Sequence, residues 1–193
     1  MTFSTLLTFL RIALTGVILF LVPSSDAGAR FAALVVFVIA GLTDWLDGFL
    51  ARRWHQTSDI GTLLDPIADK VLVLGVLGVL AYQRVVPGWI FIIMAAREVS
   101  ITLVRLVAAS RNLVLAAAPE GKLKTVAQML SLFLFLLAGG WQAAIGADAP
   151  SRGIALMYQA ALFSLITAMV LTLFSGFSFF QRNGKALRMV LKR

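Results

Sequence analysis

Residues 31–50 read FAALVVFVIAGLTDWLDGFL, residues 51–65 read ARRWHQTSDIGTLLD, and residues 66–83 read PIADKVLVLGVLGVLAYQ. Two nearly continuous apolar runs meet across a short polar link. Each is close to the roughly 20 residues an α-helix needs to cross a hydrocarbon core about 30 Å thick. Working outward, four more apolar windows appear at 5–22, 85–108, 125–147 and 153–180. No strand-like alternation over ten-residue segments occurs, so an outer-membrane barrel is not expected. Of 193 residues, 60% are hydrophobic and 13% charged, with a mean hydropathy of +0.94. Soluble domains do not have that balance. The expectation is an all-α, six-transmembrane-helix bundle: one integral membrane domain over 1–193, ending in a basic tail at 181–193.

Basic residues sort by side once six spans are drawn. Arg52, Arg53, Arg111, Lys122, Lys124, Arg182, Lys185, Arg188, Lys192 and Arg193 flank one set of helix ends, while only Arg30, Arg84 and Arg152 flank the other. Lys and Arg are retained on the cytoplasmic side during insertion, so this asymmetry predicts that both termini and the 44–69 stretch face the cytoplasm. The net charge of +8 then meets anionic lipid and phosphorylated metabolites, and no nucleic-acid partner is expected of a chain without a soluble domain. Having no cysteine, the chain has no disulfide, thiolate catalyst or zinc–thiolate site. Arg11, the run Ile12–Val22 and Ala27-Gly28-Ala29 loosely imitate a secretory signal. No basic residue precedes Arg11, so an uncleaved first helix is the reading adopted.

Five of the nine acidic residues fall between Asp44 and Asp69, in the pattern Asp-x2-Asp-Gly-x2-Ala-Arg-x8-Gly-x3-Asp-x3-Asp. On a helix Asp44, Asp47, Gly48 and Ala51 share a face. Two carboxylates thus stand beside two positions with little or no side chain, which leaves room for a ligand against the backbone. Arg52 adds a bidentate donor for phosphate. Helix three is expected to begin at Asp65-Pro66, with Asp65 and Asp69 one turn apart; antiparallel packing on helix two would bring four carboxylates together. A carboxylate at full bilayer depth costs on the order of 2.5–3.5 kcal/mol, so four require positive partners. Hard oxygen donors without His or Cys suit two Mg2+ or Mn2+ ions, whose charge matches theirs. Singly, each residue also has a structural reading: Asp65 before Pro66 is a good N-cap, and Asp44 and Asp47 could pair with Arg52 or Lys70.

This spacing resembles, position for position, the signature of the CDP-alcohol phosphatidyltransferase family. Thr5, Thr8 and Arg11, the stretch Leu64-Asp65-Pro66 with Asp69 and Lys70, Ala96-Arg97-Glu98, and Gly121-Lys122 with Lys124, Thr125 and Gln128 are similar to the subgroup that makes phosphatidylglycerol phosphate. The resemblance covers about the first 130 residues; many relatives have Pro where this chain has Ser4. It implies a homodimeric enzyme of the bacterial inner membrane, with two divalent cations in a cavity open to the cytoplasm. Asp44, Asp47, Asp65 and Asp69 would bind metal, and Asp69 would also be the general base. Thr5, Thr8, Gly48, Ala51, Arg52, Ser58 and Gly61 would hold the donor, CDP-diacylglycerol. The acceptor implied is sn-glycerol 3-phosphate, with phosphatidylglycerol or an inositol phosphate as the alternatives that the donor signature does not separate.

The acceptor's phosphate needs cations within reach of the cavity. Arg97 lies inside helix four, and Lys122 and Lys124 at the start of helix five; these are the expected acceptor residues. Glu98 and Arg105, seven apart, read as an internal ion pair. His55 reads as an interfacial side chain, and Tyr82, Trp89 and Trp141 as an external aromatic belt. The segment Arg182–Arg193 reads as an amphipathic surface helix held by anionic membrane lipid. A divalent-cation transporter would also use membrane aspartates, but would have no use for Gly48, Ala51 and Arg52 beside them.

Overall fold

The computed structural model describes residues 3–54, 59–110, 121–146 and 151–191. These form six helices: α1 (Phe3–Leu21), α2 (Ala27–Trp54), α3 (Asp59–Tyr82), α4 (Gly88–Ser110), α5 (Gly121–Ile145) and α6 (Arg152–Leu191). No strand occurs among the described residues, and one helix covers each apolar window expected from the sequence.

Local chemistry explains the tight connections. Asp26 caps α2, its Oδ2 accepting from the Ala29 amide at 2.7 Å. After α3 the backbone of Arg84 turns left-handed at φ 60°. The Arg84 amide then donates to the Ala81 carbonyl and the Val85 amide to Leu80, a Schellman closure with Pro87 just beyond it. Gly146, at φ 65°, ends α5 with the simpler left-handed cap, its amide donating to the Gln142 carbonyl at 3.2 Å.

Two boundaries depart from expectation. Helix three starts at Asp59 rather than Asp65; Asp65 is therefore no N-cap, and Pro66 stands within the helix, where it has no amide to give the Thr62 carbonyl. The polar link, expected to last until Asp65, shrinks to the four residues 55–58 between α2 and α3. The tail is likewise not a separate surface helix. α6 runs 40 residues, through Leu191, about 60 Å at 1.5 Å per residue. No proline interrupts it, and Asn183, buried, donates from Nδ2 to the Phe179 carbonyl at 3.0 Å.

α1 and α5 each pack on both α2 and α3, α4 bridges α3 and α6, and the α5–α6 seam is the most extensive. That seam is laced by reciprocal bonds: Ser131 Oγ donates to the Ala161 carbonyl at 2.9 Å and Ser164 Oγ to Ala127 at 3.0 Å. Small polar residues let membrane helices approach closely and bond across the contact. The core is apolar, centred on Ile18, Phe37, Val76, Leu77, Met94, Phe135 and Leu165. Around it the usual distribution inverts. Phe20, Ile92, Phe163 and Phe177 face outward, whereas Arg11, Glu98, Lys124, Gln128 and Thr172 are buried. An apolar exterior, with the charged side chains buried beside the core, is what a lipid solvent selects. By length and composition, two helices among the described residues are apolar enough to cross a membrane, Leu123–Ile145 and Arg152–Gly184. Tyr82, Trp89 and Trp141 are exposed at one end of the bundle.

Candidate functional site

The opposite end collects the residues singled out from the sequence. Asp44, Asp47, Gly48, Ala51 and Arg52 lie in the last three turns of α2, and Gly61, Asp65 and Asp69 in the first three of α3. Four residues join the two helices, which keeps their ends within about 18 Å of each other. The side chains of these eight residues, of Thr5 in α1 and of Lys122 in α5 lie outside the described set, as does Ser58 altogether. Thr8 is fully buried on the inner face of α1, with Arg11 one turn further on and Thr15 one turn beyond that; Thr15 Oγ1 donates to the Arg11 carbonyl at 2.8 Å.

Beside the acidic helix ends, four helices surround a cavity of about 240 Å³ whose lining includes Lys70, Arg97, Glu98, Arg105 and Lys124. Glu98, 3% exposed, is its hub. Lys70 Nζ stands 3.4 Å from Oε2, Arg97 Nη1 donates to Oε1 at 2.8 Å, and Lys124 Nζ donates to the same oxygen. A buried carboxylate must be paired, and here one carboxylate draws cations from α3, α4 and α5 to a point. Among the described lining residues, four cations against one acid leave a surplus of three positive charges.

Arg97 is placed further by α6. Its Nη2 donates to Ser175 Oγ, and its Nε has no hydrogen-bond partner although buried. The neighbouring residue is Gly176, where a Cβ would sit 3.1 Å from that Nε. An unpaired buried N–H is costly, so an anion entering here gains a waiting donor. Arg105 does not pair with Glu98 as expected. Its guanidinium lies over the Phe179 ring, 5.2 Å from the centroid, a cation–π contact. Seven residues are about 10 Å of helix, and nearer cations already take Glu98.

A second cavity, about 490 Å³ and mostly apolar, adjoins the first. Phe37, Gly41 and Leu42 of α2 and Met129, Leu130 and Phe133 of α5 wall it, with Arg11 also in its lining; Thr125 lines both cavities. The α2 wall ends at Leu42, two residues before Asp44.

Arg97 and Lys124 therefore meet, as grouped from the sequence; Lys70, Ser175 and Gly176 join them unforeseen, and Arg105, expected on Glu98, lines the cavity over Phe179 instead. Lys70 was signalled by being a charge inside an apolar window, a position that asks for a partner. Ser175 and Gly176 carried no such signal.

The family model described as CDP-alcohol phosphatidyltransferase matches residues 1–174. A CDP-diacylglycerol–glycerol-3-phosphate 3-phosphatidyltransferase of Bacillus subtilis (strain 168) is 34% identical over 160 residues, 83% of this chain and 77% of the relative. One of the same name from Escherichia coli (strain K12) is 38% identical over 168 residues, 83% and 87% of the two chains.

Proposed function

We propose the following reaction for this chain, which belongs to the CDP-alcohol phosphatidyltransferase family: it transfers the phosphatidyl group of CDP-diacylglycerol to sn-glycerol 3-phosphate, giving phosphatidylglycerol phosphate and CMP. The observation that carries the choice of acceptor is the cationic cavity around Glu98, at the same end of the bundle as the acidic signature. A small, doubly charged phosphate monoester fits a cavity of about 240 Å³ with three surplus positive charges. The donor's acyl chains have the adjoining apolar cavity between α2 and α5, which ends two residues from Asp44.

Arg97, Lys124, Lys70 and Lys122 hold the acceptor's phosphate, with Arg105 at the edge. Glu98 acts through them as a positioning residue. Gly48 and Ala51 leave backbone open to the CDP group; Arg52, Ser58, Gly61, Thr5 and Thr8 complete its contacts. Asp69 takes the proton of the acceptor's 1-hydroxyl as that oxygen bonds to the phosphatidyl phosphorus and the bond to CMP breaks. Proximity does most of the work, because both substrates are held by fixed charges at adjoining sites. A single displacement inverts configuration at phosphorus. The family's chemistry depends on a divalent metal, and the donor set fits one: four carboxylates, hard oxygen ligands, with His55 the chain's one histidine. Two Mg2+ or Mn2+ ions held by Asp44, Asp47, Asp65 and Asp69 would neutralise the charge that builds on departing CMP. The six helices span the inner membrane of a bacterium, with both termini and this site in the cytoplasm, and the chain works as a homodimer.

The test is an acceptor panel: purified protein, labelled CDP-diacylglycerol and one acceptor at a time, with CMP release as the readout. Turnover with glycerol 3-phosphate is expected. Turnover with phosphatidylglycerol or an inositol phosphate in its place would overturn the acceptor; cation flux without CMP release would overturn the enzyme.

A further inference from the structure

At the end of the bundle away from the acidic stretch 44–69 lies a cavity of about 580 Å³, within the size range of small-molecule sites. Arg30 in the first turn of α2, Gln83 just past α3, Gly139 and Gln142 in α5 and Tyr158 in α6 line it. Arg30 is fourteen residues from Asp44, about 21 Å along α2. The transfer site does not reach this cavity.

The groups here are arranged unlike an ordinary helix end. The half-buried guanidinium of Arg30 is tied by neutral carbonyls: Nε donates to Ser24 O at 2.7 Å and Nη1 to Gly139 O at 3.1 Å. No carboxylate pairs with it among the described residues, and its Nη2 takes no partner there. Tyr158 donates its hydroxyl to Gln142 Oε1 at 3.0 Å, which leaves the Gln142 amide nitrogen as a donor. Gly139 keeps space between them, since a Cβ there would stand 3.8 Å from both Arg30 Nη1 and the Tyr158 oxygen. A cation and an amide donor at fixed positions, with no carboxylate paired to the cation among the described residues, lie in a cavity whose other walls include Val22, Leu80 and Phe135. That combination matches an anionic head with an apolar body.

We propose that this cavity is a second, non-catalytic binding site for a phosphate-bearing anion, which Arg30 and Gln142 hold by its phosphate oxygens. Exposed Tyr82, Trp89 and Trp141 at this end put the cavity at headgroup level, so a phospholipid can supply that phosphate; a free phosphate ester is the other source. The inference rests on the membrane placement of the bundle and not on the identity of the acceptor.

Native mass spectrometry of the purified full chain tests it, with phosphatidylglycerol or phosphatidylcholine added and no other substrate. The chain should retain one phosphatidylglycerol in preference to phosphatidylcholine. Arg30→Gln should weaken that retention about tenfold, and Arg30→Lys should restore part of it. Turnover with glycerol 3-phosphate, measured separately, should be unchanged in both and certifies their fold. If Arg30→Gln is not recovered folded, Gln142→Leu, which leaves the bonds of Arg30 in place, should weaken retention several-fold. Displacement of the lipid by millimolar inorganic phosphate would assign the site to a soluble phosphate ester; resistance to it would assign a lipid headgroup. Equal retention of both lipids, or undiminished phosphatidylglycerol binding by a folded variant, overturns the site. Failure of the wild-type chain to use glycerol 3-phosphate would sink the reaction above and leave this result standing.

Discussion

Arg97 and Arg30 sit at opposite ends of one bundle, each beside a glycine of a facing helix, and they are held in opposite ways. Arg97 is fastened by a carboxylate and a hydroxyl, Glu98 and Ser175, within a cluster whose charge is in surplus. Arg30 is fastened by two backbone carbonyls. A charge tied to a carboxylate that other cations share responds to every member of the cluster. A charge tied to carbonyls responds only to the fold that presents them. The first arrangement suits a site that must orient an anion for reaction, the second a site that only holds one. Variants at the two ends should therefore part company in what they change.

The largest effect belongs to the reacting end. Asp69→Asn keeps the side chain's shape and removes the proposed base, and turnover should fall by about 10²- to 10⁴-fold while CDP-diacylglycerol binding is largely preserved. CMP release and donor binding, measured on the same preparation, check both halves. A normal rate would remove Asp69 from the proton transfer.

Glu98→Gln comes next and probes the hub. Removing one partner of a buried ionic cluster destabilises by about 3–5 kcal/mol, so thermal unfolding should move down clearly. The three cations then repel one another and lose their common anchor. KM for glycerol 3-phosphate should rise about tenfold, with KM for the lipid donor little changed. A lower melting temperature with both KM values intact would reduce Glu98 to a structural ion. Arg30→Gln is the matching change at the far end. It forfeits two hydrogen bonds from a charged donor, about 1.5–3 kcal/mol each before any compensation by Gln, and should lower stability without touching either KM.

The two ends were not equally legible in the sequence. Helix number and placement followed from run length, because a run of about twenty apolar residues satisfies its own backbone most readily as a helix. Asp44, Asp47, Asp65 and Asp69 stood out since helical periodicity puts each pair on one face. Contacts across helices were harder. Lys70, next to Asp69, invites a local partner, and nothing in the sequence points to Glu98, 28 positions away, with which it pairs among the described residues. Glu98 and Arg105 share a face, but sharing a face did not decide pairing once Lys124 arrived from α5. Nothing in Ser175, Gly176 or Phe179 distinguishes them from a plain apolar span, although they position Arg97 and Arg105. The end of α6 was misplaced because a run of basic residues signals a change of environment, not a break in hydrogen bonding. The cavity at Arg30 was hidden for a similar reason: a loop carbonyl and one from α5 make it.

The two glycines give the finest test of the contrast. At Gly176 a new Cβ would meet Arg97 Nε at 3.1 Å, tighter than ordinary contact; at Gly139 it would stand 3.8 Å from Arg30 Nη1, which is ordinary packing. In Gly176→Ala the guanidinium must yield by a few tenths of an ångström, and it is tethered at both ends to Glu98 and Ser175. Orientation losses of that size at a binding group cost several-fold rather than orders of magnitude. KM for glycerol 3-phosphate should rise about threefold to tenfold, with kcat and donor affinity held. Gly139→Ala should leave turnover, both KM values and the melting temperature within error. If Gly176→Ala also changes nothing, the position of Arg97 is not critical and the acceptor's phosphate is held elsewhere in the cationic cavity. If Gly139→Ala raises KM as much, the two ends are coupled and the division between a reacting end and a holding end fails.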